Sequence, residues 1–281
     1  MLSYRHGFHA GNHADVLKHL VLLSLLQKLR IKDKPFTCID SHAGAGLYDL
    51  FNAQAQTNRE HESGIAPLWG ARPVDPLLAH YVERVRSCNP DQRLRYYPGS
   101  PVLVQGELRA QDRLHVLELH PAEQISLQES LGQDRRVSLH VRDAFEGLLA
   151  ITPPEPRRGM ALMDPSYEDK KDYQRAHATL VKLQRRWPVG ILALWYPLLA
   201  RERDHSRWLC AALARENLPD TLQLELSVAS QAEEFGMHGS GMIVINTPWQ
   251  FREQMQACLG ELVKHLGGEA SCRIQRLSFP D

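Results

Sequence analysis

Gly159-Met-Ala-Leu-Met-Asp164-Pro-Ser-Tyr167 joins a short apolar run to a polar end stopped by proline. Gly159 to Met163 reads as a buried strand. Pro165 biases Asp164 toward an extended backbone and cannot continue a helix. The strand therefore ends with a carboxylate, a free carbonyl and an aromatic ring close together. That trio suits a flat ring bearing an amine, although Asp-Pro after an apolar strand is also an ordinary turn.

The same pattern, an apolar run ending in polar residues, recurs on both sides of this stretch. Phe36 to Asp40 leads into Ser41-His42-Ala-Gly44-Ala-Gly46, Leu114 to Val116 and Leu117 end at Glu118, and Val137 to Val141 ends at Arg142-Asp143-Ala144. Further runs are Gly190 to Trp195, Leu222 to Val228 and Gly241 to Asn246. These make seven strands, with helical patterns between most of them, at about Val102, Tyr173–Arg186, Arg201–Glu216 and Phe251–Leu266. The expected fold is an open, doubly wound α/β sheet closed by an antiparallel hairpin.

In such sheets ligands bind outside the carboxyl ends of the strands, near the switch point. His42, Glu118, Asp143 and Asp164 fall there on four different strands. Gly44 and Gly46 let the backbone turn tightly and approach a ligand. Asp49 stands where a dinucleotide loop would carry its third glycine. Glu118 is placed to take ribose hydroxyls, or to serve as a loop or capping carboxylate. Asp143 suits an adenine amine, the N-cap of the next helix, or both.

Before the first strand, Asn12 is a plausible N-cap with Asp15 in the first turn of a helix from about His13 to Leu29. Up to Lys34 the segment carries six Lys or Arg against Asp15 and Asp33, a net +4 that fits a solvated helix face or an RNA grip. His9, His13 and His19 have no acidic or cysteine partner at ligand spacing, so no metal is expected. Residues 47–95 contain several prolines and no clear strand. They read as an inserted helical subdomain, with residues 1–46 and 96–281 forming the main domain. Arg84, Arg86, Arg93 and Arg95 near its end form either a phosphate-contacting cluster or a solvated face. Tyr96 to Pro101 reads as a turn.

The chain has 281 residues, and Lys+Arg balances Asp+Glu at 33 each, so a nucleic acid would have to be held locally. Five cysteines without a Cys-x-x-Cys pair argue against a disulfide framework and fit a reducing cytosol. The longest early apolar run, from Leu20 to Leu26, is too short to span a bilayer. A cytoplasmic monomer with no membrane association is the expectation.

Tyr4-Arg-His-x-Phe-His-Ala-Gly-Asn-His-Ala-Asp-Val-Leu-Lys18-His19, Asp40-x-His-Ala-Gly-Ala-Gly46, Leu94-Arg-Tyr-Tyr-Pro-Gly-Ser100-Pro, Asp164-Pro-x-Tyr167, Leu194-Trp-Tyr-Pro197 and Gly241-Met-Ile-Val-Ile-Asn246 together resemble the RlmJ family. Its members are bacterial methyltransferases acting on the N6 position of one adenine in 23S ribosomal RNA. The resemblance implies a Rossmann-like class I methyltransferase fold, S-adenosylmethionine as cofactor and 23S ribosomal RNA as partner. It implies cofactor contacts at Lys18, His19, His42, Ser100, Glu118, Asp143, Ala144 and Asp164. It makes Asp164, Pro165 and Tyr167 catalytic and puts Tyr4 near the target adenine. Two positions depart from the family pattern: Ser166 replaces a common proline, and Ala144 stands where glycine can occur. The Asp-Pro-x-Tyr turn also serves DNA adenine and protein glutamine methyltransferases, and a non-catalytic RNA-binding protein on the same fold is a further alternative.

Overall fold

The computed structural model describes residues 5–234 and 236–277. Its strands in chain order are β1 (Thr37–Asp40), β2 (Leu47–Asp49), β3 (Tyr96–Pro98), β4 (Arg113–Leu117), β5 (Val137–His140), β6 (Gly159–Met163), β7 (Ile191–Leu199), β8 (Thr221–Ser227), β9 (Met237–Ile245) and β10 (Ser271–Arg276). Its helices are α1 (His13–Arg30), α2 (Ala53–Asn58), α3 (Ile65–Trp69), α4 (Pro76–Ser87), α5 (Ser100–Glu107), α6 (Pro121–Leu131), α7 (Ala144–Ile151), α8 (Lys171–Arg186), α9 (Ser206–Ala214) and α10 (Phe251–Leu266).

All seven expected strands lie in one sheet of order β10-β8-β9-β7-β6-β1-β4-β5. The run β5-β4-β1-β6-β7 is parallel, and β9 is antiparallel to both β7 and β8. The expected hairpin is therefore β8–β9, with β9 rather than β8 seated against β7. β10 is an eighth strand that the sequence did not announce. It is a largely exposed edge of mixed polarity, antiparallel to β8, so it lacks the apolar run that marks the others. Tyr96–Pro98 is a short strand paired with β2 rather than a turn. The helix expected from Arg201 begins only at Ser206.

The chain passes from β1 to β4 and β5 on one side, then to β6 and β7 on the other. The switch point thus lies between β1 and β6, and Asp40 and Asp164 follow at their carboxyl ends. Successive residues of the central strands enter opposite layers, as the pleat requires. Cys38, Met160 and Leu162 pack into one apolar cluster, and Ile39, Ala161 and Met163 into the other.

α1 begins where expected, with the Asn12 side chain accepting from the Asp15 amide at 2.9 Å. It is not an amphipathic surface helix: 15 of its 18 residues are buried. α4, α5 and α10 surround it, and it lies against β6, β7 and β9. Lys18 accordingly leaves the basic face that composition suggested, being only 4% exposed. The segment 47–95 folds mainly into α2, α3 and α4, and its apolar residues, among them Ile65, Leu68, Tyr81 and Val85, share one cluster with α1.

Gly159 pairs with Thr37 in register, and a Cβ at Gly159 would overlap the Thr37 carbonyl oxygen of the neighbouring strand. Backbone in the middle of a sheet cannot swing aside. Gly159→Ala should lower stability by roughly 1–3 kcal/mol, seen as a lower urea midpoint at unchanged slope. An unchanged midpoint would contradict this close approach.

Candidate functional site

A cavity of about 650 Å³ opens outside the carboxyl ends of β1, β4, β5 and β6. The eight residues with an implied cofactor role all stand in its wall: Lys18, His19, His42, Ser100, Glu118, Asp143, Ala144 and Asp164. Local sequence explains the arrangement. Gly44 and Gly46 adopt φ of +60° and +81°, a region that strains other residues, and they fold the loop after β1 back over the sheet end. The Gly44 amide donates to Glu118 Oε2 at 2.8 Å, and the His120 amide donates to Oε1 at 2.7 Å. Two backbone amides thus fix the Glu118 carboxylate and leave it lone pairs to spare.

Asp143 caps α7 by accepting from the amides of Phe145 and Glu146, while its other oxygen holds Arg175 at 2.9 Å. Arg175 also lies 4.2 Å over the Phe145 ring, whose edge meets His42 at 5.7 Å. Sequence reading missed both Arg175 and Phe145. Arg175 comes from the middle of a charged helix, where nothing marks one arginine from the next. Phe145 follows Asp143 by two residues, and a lone aromatic at the start of a helix gives no sign that it will meet His42.

A second cavity of about 240 Å³ adjoins the first. Asp164, Lys18 and Ser166 line both. Tyr167, Trp195 and Pro197 line only the smaller one. Tyr167 is 5% exposed and has φ +54°, and its hydroxyl donates to the Trp195 carbonyl at 2.8 Å. Its ring is wedged against Tyr173 at 4.4 Å. Tyr4 lies outside the described residues.

Lys18 joins the two cavities electrostatically. Its ammonium lies 2.8 Å from Asp15 Oδ1 and 2.5 Å from Asp164 Oδ2. Burial pushes the Lys18 ammonium toward losing its proton, but Asp15 and Asp164 outweigh it and hold its pKa well above the ordinary value. Burial likewise pushes Asp15 up, while His6 and Lys18 hold it well below the usual carboxylate range. Asp15 also accepts from the Gly11 amide, which ties the start of α1 to the same carboxylate.

The buried histidines are neutral. Burial lowers His42 to about 4 although Asp164 and Asp143 are near. His42 Nδ1 lies 3.3 Å from the Asp164 amide that donates to it, and 2.7 Å from Ser41 Oγ. His19 falls to about 3 through burial, and its Nδ1 meets the Tyr97 hydroxyl at 2.8 Å. Its Nε2 has no partner among the described residues. Asp40, which the sequence reading quoted but gave no role, is raised to about 6 by burial against the opposing effect of Ser100.

The arginine cluster does not form one free face. Arg84 pairs with the buried Glu107 at 3.5 Å, and Arg86 donates to the carbonyls of Trp69 and Ala71. Arg95 forms a two-point pair with Asp49. Two of the four therefore hold helices together, and Arg93 and Arg95 remain exposed.

Comparison with known proteins agrees with this geometry. The profile of the family described as "Ribosomal RNA large subunit methyltransferase D, RlmJ" matches residues 33–276. A relative from Escherichia coli K12, "Ribosomal RNA large subunit methyltransferase J", is 42% identical over 259 residues, 92% of each chain. One of the same name from Haemophilus influenzae is 38% identical over 272 residues, 96% of each chain.

The chain belongs to the RlmJ family.

A solved structure from Legionella pneumophila superposes with a TM-score of 0.87 at 32% identity, covering 95% of this chain and 98% of that one. The Rossmann-like class I methyltransferase fold that RlmJ membership implied is the fold observed. Among the described residues, no helix is long and apolar enough to cross a membrane, and no group of three or more His, Cys, Asp or Glu is placed to hold a metal ion.

The buried titrating groups make stability depend on pH in a definite direction. His13, His19 and His42 have folded pKa values of about 4, 3 and 4, below the ordinary 6.5, so the unfolded chain binds their protons first. Their contribution is complete above pH 6.5 and is lost as pH falls through 6.5 toward 4. Asp40, raised to about 6, acts in the opposite sense, gaining stability as pH falls through 6, and His9, raised by Glu60, also opposes the loss. His61, His115 and His140, also lowered by burial, add to the loss, and Glu123 and Asp172, raised by burial, oppose it. The lowered histidines outnumber the opposing groups, so the urea midpoint should fall between pH 7 and pH 5. A midpoint that rises over this interval would contradict the neutral buried histidines.

Proposed function

We propose that the protein transfers a methyl group from S-adenosylmethionine to the N6 amine of an adenine in 23S ribosomal RNA. The observation that carries this reading is the position of Asp164, in the shared wall of two cavities of unequal size. The larger lies within the range of about 300–1,000 Å³ usual for whole ligands, and the smaller falls below it, suiting a single ring system. The relatives' names add ribosomal RNA of the large subunit as the acceptor.

The residues of the larger cavity fit S-adenosylmethionine. Glu118 offers a fixed carboxylate for ribose hydroxyls, and Lys18 offers a cation for the amino-acid carboxylate. His19 Nε2 is a buried polar atom in the wall that lacks a protein partner. His42, Ser100, Asp143 and Ala144 complete the wall around it. When bound, the cofactor supplies an electrophilic methyl group on a sulfonium.

The chain supplies the rest. The adenine amine is a weak nucleophile because its lone pair is delocalised into the ring. Asp164 Oδ2 is held by Lys18, which leaves Oδ1 to accept one amine hydrogen. The Pro165 carbonyl accepts the other. Together they draw the nitrogen toward tetrahedral geometry and aim its lone pair across the shared wall, and the proton that the methylated nitrogen then sheds leaves by way of Asp164. Positioning of this kind lowers a barrier by several kcal/mol. Tyr167 has its hydroxyl tied to Trp195, so its ring serves as a rigid wall for the base. The base must leave any stack to enter, at a cost of a few kcal/mol. Tyr4 is assigned to the target adenine on the family resemblance.

Asp164→Ala should abolish methyl transfer to RNA, while Asp164→Asn, which keeps an acceptor oxygen, should retain some. Equal turnover by Asn and wild type would remove the charged-acceptor role, and an active Ala variant would overturn the site. Labelled transfer to RNA, DNA and protein acceptors in parallel separates this reading from its relatives with other substrates.

Glu118→Ala should weaken S-adenosylmethionine binding by roughly 1–3 kcal/mol, the loss of hydrogen bonds to a charged group, with RNA affinity unchanged in the absence of cofactor. Calorimetry showing unaltered cofactor affinity would take Glu118 out of the site.

A further inference from the structure

The wall of the smaller cavity carries an exposed arginine that the chemistry above does not use. Arg203 stands in its wall together with Leu199 and Met237, in the same cavity as Asp164 and Tyr167. Among the described residues no carboxylate pairs with Arg203, whereas Lys18 in that wall is paired with both Asp15 and Asp164. The Arg203 side chain is exposed, but its backbone is held firmly. Its amide donates to the Ala200 carbonyl at 2.9 Å. The same turn is stitched to the loop before β9, with Ala200 donating to Gly236, Arg201 to Ala232 and Glu202 to Glu233. Gln231 closes the turn from the other side by donating to the Leu199 carbonyl and to Asp204.

We infer that Arg203 is a binding residue for an RNA backbone phosphate flanking the target adenine. The inference rests on the reading of the smaller cavity as the adenine site. A cavity of about 240 Å³ takes the base, so the phosphates on either side must lie at its mouth. A guanidinium there meets them as a charged fork that matches two phosphate oxygens at once. Asp15 and Asp164 in that wall are both paired to Lys18, Glu168 adds a further carboxylate, and Arg203 is the exposed guanidinium that an approaching phosphate meets. Such a contact carries no sequence information. It holds the strand at the cavity mouth and adds affinity without setting where the base sits against Asp164. Arg203 is therefore an RNA-binding residue, and its effect belongs to RNA binding rather than to the methyl transfer step.

The test is the affinity of deproteinised 23S ribosomal RNA for wild type, Arg203→Ala and Arg203→Lys across a salt series, alongside turnover. Arg203→Ala should weaken RNA binding by about five- to tenfold, raise KM for RNA to match, and reduce the salt slope by about one. Arg203→Lys should recover part of the affinity and most of the slope. The kcat at saturating RNA and the affinity for S-adenosylmethionine should hold. Unchanged RNA affinity and slope in Arg203→Ala would overturn the phosphate contact and leave Arg203 a solvated arginine. A loss confined to kcat would overturn it as well. Because binding is read without turnover, a protein that binds RNA through Arg203 but methylates none of it would refute the proposed reaction while upholding the contact.

Discussion

A lysine ammonium buried between two carboxylates is the constraint around which this molecule is arranged. Lys18 reaches Asp15 on its own helix and Asp164 at the end of the central strand β6. Three charged groups in a largely desolvated place are tolerable only when each is paired, and breaking such a pair typically costs about 3–5 kcal/mol. The pairing needs α1 to lie deep against the sheet, which explains why that helix is apolar nearly all round. It also needs the turn after β6 to stop at a fixed point, which Pro165 ensures. Asp15 then draws in the His6 ring and the Gly11 amide, so the segment ahead of α1 is tied to the same carboxylate.

That arrangement brings the two cavities together. The carboxylate that Lys18 holds lies in the wall between a pocket of ligand size and one sized for a single ring. Glu118 is fixed by two backbone amides, His42 lies against the Asp164 amide, and Tyr167 is locked through Trp195. Each of these groups is thus held by a further contact, which is what the proposed positioning of a weak nucleophile requires. The outer rim is different in kind. There the exposed Arg203 stands in the wall of the smaller cavity, and the phosphate contact proposed for it serves an extended partner rather than the cavity floor.

Much of this was legible in the sequence, and the legible part has a common physical cause. β1, β6 and β7 are apolar runs buried on both faces, β4 and the half-exposed edge strand β5 keep alternate apolar residues, and the ends of these strands are marked by proline, glycine or a carboxylate. Hence β1, β4, β5, β6 and β7 could be placed, and with them His42, Glu118, Asp143 and Asp164. β10 was not legible because an exposed edge strand needs no apolar run. The state of Lys18 was not legible either. As one basic residue among several before Lys34 it read as surface charge, and only the burial of α1 shows that it faces two acids. Arg84 and Arg86 failed for the same reason in reverse: a charge cluster along the chain says nothing about which guanidinium finds a buried glutamate or a backbone carbonyl. Arg175 and Arg203 gave no local signal at all, since their roles come from which strand ends they overhang.

Asp164 and the Pro165 carbonyl are proposed to grip an exocyclic amine, and the identity of the methylated atom checks that grip. Deproteinised 23S ribosomal RNA would be incubated with the protein and isotope-labelled S-adenosylmethionine, digested to nucleosides and resolved by mass spectrometry. The account predicts that the label appears in N6-methyladenosine. Label in an adenine methylated on a ring nitrogen or ring carbon, or in another base, would contradict it.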